Sequence, residues 1–239
     1  MAHRILVPFE LPCAEPVSTV LVEDIAPMEV VALGHFNLPE QTPPDAGRAQ
    51  FGDDAQAELD ELAAPFREAG SSVTTRLVFG KNRANTIDRV AIEEGCDAEL
   101  DPAPTEGVER ILVPLVDAGN LDRLEDFVGA LCEDRTREVT LFHVAEQGAE
   151  GDEDPEAVEA MLHEAREKMV ADGFDADLVD VSVVVSDNHD DEIIAKAEAY
   201  DAVVMGEADP GIADRIFGTL PDRIADRTGD PVIVVRRNV

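Results

Sequence analysis

A glycine-containing segment near the carboxyl end of the chain has the residue types of an anion site. Gly206 follows the apolar run 201–205, and Gly218 and Thr219 lie further along. Thr219 is a favourable N-cap for a helix whose third position is Asp222. Unpaired N–H groups at a helix N-terminus, next to a glycine, attract negative charge. The spacing therefore predicts an anion site; the alternative is that these residues only end a strand and begin a helix.

Other groups of polar residues are explained by ordinary structure. Residues 186–192 include metal-ligand types, but they lie where a strand ends and a helix begins, so helix capping accounts for them. His35 and His143 recur at the ends of two similar apolar runs, which duplication explains. The sequence contains no Gly-x-Ser-x-Gly elbow and no intact Walker loop. We therefore predict no catalytic residue and no metal ligand, and the sequence favours a protein that is not an enzyme.

The overall charge excludes two classes of partner. The 239 residues include 53 Asp and Glu against 19 Lys and Arg, a formal net charge of −34 that is spread along the chain. Nucleic acid and anionic lipid both need clustered Lys and Arg, and the sequence has no such cluster. Among the cations only Lys81, Lys168 and Lys196 are lysines, and a carboxylate-rich surface stays hydrated in concentrated salt. The composition predicts a halophilic protein with no nucleic-acid partner and no membrane insertion.

The opening residues and the cysteines indicate a compartment. No apolar run approaches the roughly 18 residues that span a bilayer, and the start Met1–Pro8 reaches a proline too early for a signal peptide. The three cysteines, Cys13, Cys96 and Cys132, are far apart, which is typical of reduced thiols. We expect a cytoplasmic protein.

The chain repeats itself. Three short matches recur in the same order at nearly one offset: Arg4–Pro8 with Arg110–Pro114 at 106, the runs that end at His35 and His143 at 108, and Cys96–Ala98 with Tyr200–Ala202 at 104. The sequence therefore predicts two copies of one domain, at residues 1–105 and 108–239. The 33 residues after Gly206 have no counterpart in the first copy, which is predicted to lack the last helix and strand.

Apolar runs alternate with helical periodicity in both copies. The first copy predicts strands at 5–9, 30–36, 73–79 and 98–100, helices at 17–25, 56–69 and 86–94, and a loop over 39–52. The second predicts strands at 111–115, 139–144, 179–185, 201–205 and 232–235, and helices at 121–132, from 155 to near 173, 191–199 and 220–227. Nearly continuous apolar strands between helices favour parallel sheets covered on both faces. We predict an α/β chain of two doubly wound domains in tandem.

These residues resemble the universal stress protein family. The resemblance is carried by Ile111–Pro114, His143–Val144, Asp201–Gly206, Gly218–Thr219 and Pro231–Arg236. It covers essentially the whole chain as a tandem pair, complete in the second copy and truncated in the first. It implies the Rossmann-like fold of the adenine nucleotide alpha-hydrolases.

The resemblance also implies a nucleotide site in the second copy. Members that bind ATP use a Gly-x2-Gly-x9-Gly-Ser/Thr loop around the phosphates. By resemblance, Val144, Met205 and Gly206 would flank adenine and ribose, and Gly218 and Thr219 would face the phosphates. The implied cofactor is ATP or another adenine nucleotide with Mg²⁺; the alternative is a vestigial pocket. No nucleotide is expected in the first copy.

The glycine loop departs from the family pattern at several positions. Asp209 stands where the second glycine is expected, Gly211 is displaced, and Asp117 lies one residue later than the family aspartate. Glu207, Asp209 and Asp214 add negative charge at the mouth of the site, which Arg215 would partly offset. Gly211, Arg215 and Asp117 complete the predicted set of binding residues.

Three functions follow from the resemblance. The first is a regulatory stress-response protein that acts through dimer and partner contacts, with or without adenine nucleotide. The second is an ATP-binding switch with slow hydrolysis, and the third is a soluble accessory regulator of a membrane transporter. Because final strands of family members commonly pair across a dimer interface, we predict a homodimer through Val232–Val235.

Overall fold

The computed structural model describes residues 3–39, 41–115, 121–132, 135–146, 154–207 and 219–237. These residues form two compact units, of which the first extends to Pro102 and the second begins at Ala103. Among the described helices, none combines the length and the hydropathy needed to cross a membrane.

The first unit is a four-stranded parallel sheet with three helices. Its elements are β1 (Arg4–Leu11), α1 (Thr19–Ile25), β2 (Glu29–Asn37), α2 (Pro44–Glu68), β3 (Val73–Gly80), α3 (Arg83–Glu94) and β4 (Ala98–Asp101), with strand order β3-β2-β1-β4. On one face of the sheet, Val31 and Leu33 pack against Val90 of α3. Residues 102–109, all of them described, contain no helix or strand. This unit therefore ends after its fourth strand.

The second unit is a five-stranded parallel sheet with helices on both faces. Its elements are β5 (Arg110–Pro114), α4 (Leu121–Cys132), β6 (Glu138–Glu146), α5 (Pro155–Ala171), β7 (Val179–Ser186), α6 (His189–Ala197), β8 (Ala202–Gly206), α7 (Leu220–Thr228) and β9 (Val232–Val235), with strand order β9-β8-β5-β6-β7. The core on one face joins Phe142 to Ile193 of α6 and Ile224 of α7. The doubly wound α/β fold predicted from the alternating pattern is confirmed.

In both units, the first residue of the first strand exchanges two hydrogen bonds with an aspartate. In the first unit, the Arg4 backbone N–H donates to the Asp97 carboxylate at 2.9 Å, and the Asp97 N–H donates to the Arg4 carbonyl at 2.7 Å. In the second unit, the Arg110 N–H donates to the Asp201 carboxylate at 2.8 Å, and the Asp201 N–H donates to the Arg110 carbonyl at 2.9 Å. The matches at offsets 106 and 104 thus occupy equivalent positions in the two sheets.

The strand register corrects the match at offset 108. Arg4 pairs with Glu29 in the first unit, whereas Arg110 pairs with Glu138 in the second. The first strands are offset by 106 residues and the second strands by 109, from 29 to 138, so the counterpart of His35 is Val144. The predicted equivalence of His35 and His143 at offset 108 is wrong by one residue. Because side chains alternate along a strand, the two histidines point to opposite faces of their sheets.

Helix α2 also differs from the prediction. The sequence predicts a loop over 39–52 and a helix over 56–69, but the helix runs over Pro44–Glu68. Pro43 and Pro44 read as loop residues, yet a proline at the first helical position sacrifices no hydrogen bond. The prolines therefore start this helix and do not interrupt it.

Packing against the sheet explains why the first turns of α2 accommodate glycine. A Cβ on Gly47 would lie only 2.5 Å from Leu38 Cδ2, so the helix approaches Leu38 closely through the glycine. One turn later, Phe51 stacks on Phe36 with ring centroids 5.2 Å apart, and Phe36 stacks on Phe79 at 5.1 Å. These tertiary contacts outweigh the poor helix propensity of the segment.

Candidate functional site

The described part of the predicted site begins with an apolar floor in the second unit. Val144 near the end of β6 and Met205 in β8 are 1% and 3% exposed, and both belong to the cluster that includes Ile193 and Ile224. Gly206, the last residue of β8, is half-buried beside them. The structure therefore brings together the three residues that were predicted to flank a base and a sugar.

Four of the eight predicted site residues lie outside the described residues. They are Asp117, Gly211, Arg215 and Gly218, and the acidic residues Asp209 and Asp214 fall in the same category. Their predicted roles stay predictions.

Thr219 caps helix α7, as its sequence context predicts. Its backbone N–H donates to Asp222 Oδ2 at 2.9 Å, and its hydroxyl donates to the same oxygen at 2.6 Å. Both donors that would face a phosphate are thus engaged by a carboxylate of the same helix. A bound phosphate has to displace Asp222 or share these donors with it.

Glu207 at the mouth of the site is engaged by the segment that follows β9. Arg236 Nη2 lies 3.4 Å from Glu207 Oε1, and the Arg237 backbone N–H donates to Oε2 at 3.0 Å. The Arg236 side chain is only 8% exposed, so solvent screens this ion pair weakly. The charge of Glu207, one of the three carboxylates that the sequence places at this mouth, is therefore largely balanced by Arg236.

A further contact stabilises the strand ends next to this apolar floor. The His143 ring lies with Nδ1 2.5 Å from the Leu115 carbonyl oxygen, which joins the end of β6 to the end of β5. Arg123 of α4 likewise donates to the carbonyl of Arg237. Sequence reasoning missed these contacts because they join residues far apart in the chain, whereas the Thr-x-x-Asp spacing of Thr219 and Asp222 did signal the cap.

The acidic start of α6 is neutralised by an arginine of α7. Arg223 contacts Asp190 at 2.6 Å and Asp191 at 3.1 Å. The described residues contain no group of three His, Cys, Asp or Glu side chains that could hold a metal ion. Salt bridging therefore accounts for the carboxylates that resemble metal ligands in the sequence.

A groove in the second unit lies away from the predicted site. It has a volume of about 510 Å³, lies between α6 and α7, and is lined by residues including Ile194, Glu198 and Arg227. None of the four described residues of the predicted nucleotide site lines it. It is shallow and open, and the Arg227–Glu198 pair at 2.7 Å crosses its rim.

Comparison with known proteins places the second unit in a family. The model of the universal stress protein family matches residues 107–236, which include β5 to β9 and every predicted site residue. No curated protein matches the chain.

Solved structures match over both units. A universal stress protein from Archaeoglobus fulgidus DSM 4304 is 17% identical, with 98% of this chain and 96% of that chain covered at a TM-score of 0.69. A candidate universal stress protein from Pseudomonas aeruginosa UCBPP-PA14 is 17% identical, with 98% and 93% covered at 0.58. A functionally unknown protein from Pseudomonas aeruginosa PAO1 is 18% identical, with 98% and 92% covered at 0.53. At these identities the structures establish a shared fold. The family match and the fold together show that this chain belongs to the universal stress protein family.

Proposed function

We propose that the protein is a cytoplasmic stress-response regulator made of two family domains in tandem, a truncated one at 1–105 and a complete one at 108–239. The observation that carries the proposal is the family match over 107–236, which spans the complete five-stranded unit. The repeated contact between the first strand and an aspartate, Asp97 in one unit and Asp201 in the other, supports a common origin for the two.

Regulation through contacts with other protein chains fits the chemistry of the described residues. The polar side chains beside Gly206 serve structure: Glu207 is held by Arg236, and Thr219 is held by Asp222. Neither pair offers a nucleophile or a general base with a free partner position. We therefore favour a binding protein over an enzyme.

Adenine nucleotide is the ligand that we propose for the second unit. Val144 and Met205 form the apolar core directly beneath the predicted site, and half-buried Gly206 leaves the adjacent backbone open to close approach. The phosphates would lie at the start of α7, where Thr219 would donate its hydrogen bonds to the ligand and no longer to Asp222. Mg²⁺ would then accompany the phosphates.

Calorimetric titration of the intact protein with Mg-ATP in molar potassium chloride tests this ligand. We expect saturable binding that is lost in Gly218→Asp, since a carboxylate at the phosphate position repels the ligand. Gly52→Asp is the control and should bind normally, because Gly52 lies in α2 of the first unit and a Cβ there would make only an ordinary contact, 3.6 Å from Arg48 Cγ. Absence of binding in the wild-type protein would leave the regulatory role without a nucleotide and would show that the pocket is vestigial.

The homodimer through Val232–Val235 also remains a prediction. Within the second unit, β9 pairs with β8 along one side. Light scattering of the full chain in high salt should give twice the chain mass. A monomer would exclude this dimer.

A further inference from the structure

A buried histidine without hydrogen bonds lies near the end of β2 in the first unit. His35 is 1% exposed, and neither of its ring nitrogens has a hydrogen-bond partner in the part of the chain that the structure describes. A neutral imidazole carries one donor and one acceptor. Burying them unsatisfied is unfavourable, and burying the charged ring would be far more so.

The ring faces the corner where β3 turns into α3. A Cβ built on Gly80 would lie 3.4 Å from His35 Nε2 and 3.6 Å from Thr86 Oγ1. Asn82 holds this corner closed, since its Oδ1 accepts the Asn85 N–H at 2.9 Å and its carbonyl accepts the Thr86 hydroxyl at 2.8 Å. His35 is therefore covered by the first turn of α3.

The charges around His35 mostly oppose protonation of the ring. Burial is the largest cause that lowers the pKa of His35, and the positive charge of Arg83, the first residue of α3, lowers it further. Glu10 on β1, the register partner of His35, acts in the opposite direction. The N-terminus of α3 adds further positive potential. From β3 the nearest residues are Val78 and Gly80, which carry no charge.

We propose that His35 is the proton-binding element of an acid-sensitive latch, in which proton uptake releases the Gly80–Thr86 corner from the end of β2. The closed corner excludes the proton, whereas an opened corner exposes the ring to water and lets it bind one. Opening is thereby coupled to the uptake of one proton.

The sign of the pH dependence follows from this coupling. Because the closed state has the lower pKa, its stability is fully present above the ordinary histidine value of about 6.5 and is lost as the pH falls below it. One proton per opening event means that the opening constant rises by about tenfold per pH unit in that range.

The second unit supplies the matched substitution. Val144 occupies the register position of His35, is equally buried, and packs against α6, the counterpart of α3. His35→Val therefore inserts the residue that the same fold already accepts there, and it removes the titrating group.

Hydrogen exchange of the full chain in molar potassium chloride tests the latch. Opening constants for the amides of α3 are measured from pH 7.5 to pH 5.0 and corrected for intrinsic exchange. We expect a rise of about tenfold per pH unit below about 6.5 in the wild-type protein, and no such rise in His35→Val. His163→Gln, which removes an exposed histidine of α5, should behave as the wild-type protein does. A flat wild-type profile, or the same slope in His35→Val, would overturn the proposal.

A second measurement does not depend on any variant. In the wild-type protein, the imidazole resonances of His35 should not titrate between pH 7.5 and pH 6.5. A folded-state midpoint for His35 at or above about 6.5 would mean that the buried ring accepts a proton freely, and the latch would be excluded.

Discussion

At the start of α7, a single carboxylate engages the donors that a phosphate would use. Asp222 accepts both the N–H and the hydroxyl of Thr219. Asp222→Asn keeps an accepting oxygen but removes the negative charge from the helix N-terminus. We expect Mg-ATP to bind roughly two- to fivefold more tightly, because a charge at a helix terminus contributes about 0.3–1 kcal/mol. Calorimetry measures the change.

The control for this variant lies on the same helix. Asp226→Asn removes an exposed carboxylate further along α7 and changes the net charge equally. If both variants tighten binding by the same factor, the change in net charge is responsible and the position of the carboxylate is not. Competition by Asp222 would then be rejected.

A buried carboxylate links α4 to α5 through one lysine. The Glu125 side chain is 5% exposed and lies 2.5 Å from Lys168 Nζ, which also contacts Asp122. Burial raises the pKa of Glu125, even though Lys168 acts in the opposite direction. Hydrogen bonds to Asp122 and Glu125 raise the pKa of Lys168 in turn.

Removing the lysine leaves this carboxylate uncompensated. We expect Lys168→Met to lower the free energy of unfolding by about 1–3 kcal/mol at pH 7.5, less than for a fully buried pair because Lys168 is half exposed. The loss should shrink as the pH falls, since a raised folded-state pKa means that protonation favours the folded state. Urea unfolding measures both effects. The double variant Glu125→Leu with Lys168→Met should recover most of the stability, and failure to do so would show that the methylenes of Lys168 matter more than its charge.

At the scale of elements, the equivalent helices α3 and α6 both have an asparagine at the N-cap position, but only one of the two side chains makes a cap hydrogen bond. Asn82 caps α3 through the Asn85 N–H, whereas Asn188 at the corresponding position of α6 makes no side-chain cap hydrogen bond. We expect Asn82→Ala to lower stability by about 1 kcal/mol and Asn188→Ala to lower it by clearly less. Thermal or urea unfolding compares the pair. Equal losses would mean that the side-chain cap of α3 contributes nothing.

The elements were largely predictable, and the exceptions have physical causes. The apolar runs mark every described strand, because parallel strands covered by helices are mainly apolar, although the outer strands β3 and β7 also carry polar residues such as Thr74 and Asp180. The start of α2 was missed because the contacts of Gly47 with Leu38 and of Phe51 with Phe36 are tertiary. The counterpart of His35 was misassigned because similarity in sequence does not reveal strand register.

The candidate site was predictable only in its local parts. The family resemblance pointed to Val144 and Met205, the position after an apolar strand pointed to Gly206, and the local spacing of Thr219 and Asp222 predicted the helix cap. That these residues bind a ligand stays a prediction. The engagement of Glu207 by Arg236 depends on β8 and β9 lying side by side, which no local pattern encodes.

For the whole molecule, the charge of −34 predicts a dependence on salt. The Debye length falls from about 10 Å at 0.1 M to about 3 Å at 1 M, so repulsion among surface carboxylates is largely screened at molar salt. We expect the midpoint of thermal unfolding to rise by roughly 10 °C between 0.1 and 1 M potassium chloride, given about 2–4 °C per kcal/mol for a chain of this size. A midpoint that stays constant or falls would contradict a halophilic adaptation.

The strand offsets between the two units have a practical consequence for protein engineering. Corresponding strands begin at Arg4 and Arg110, Glu29 and Glu138, Val73 and Val179, and Ala98 and Ala202, which are 106, 109, 106 and 104 residues apart. The differences in length thus fall in the helices and turns, while the pairing of the strands is preserved. A peptide tag for labelling or immobilisation therefore belongs in an exposed connection such as 172–178, where added length leaves the sheet unchanged.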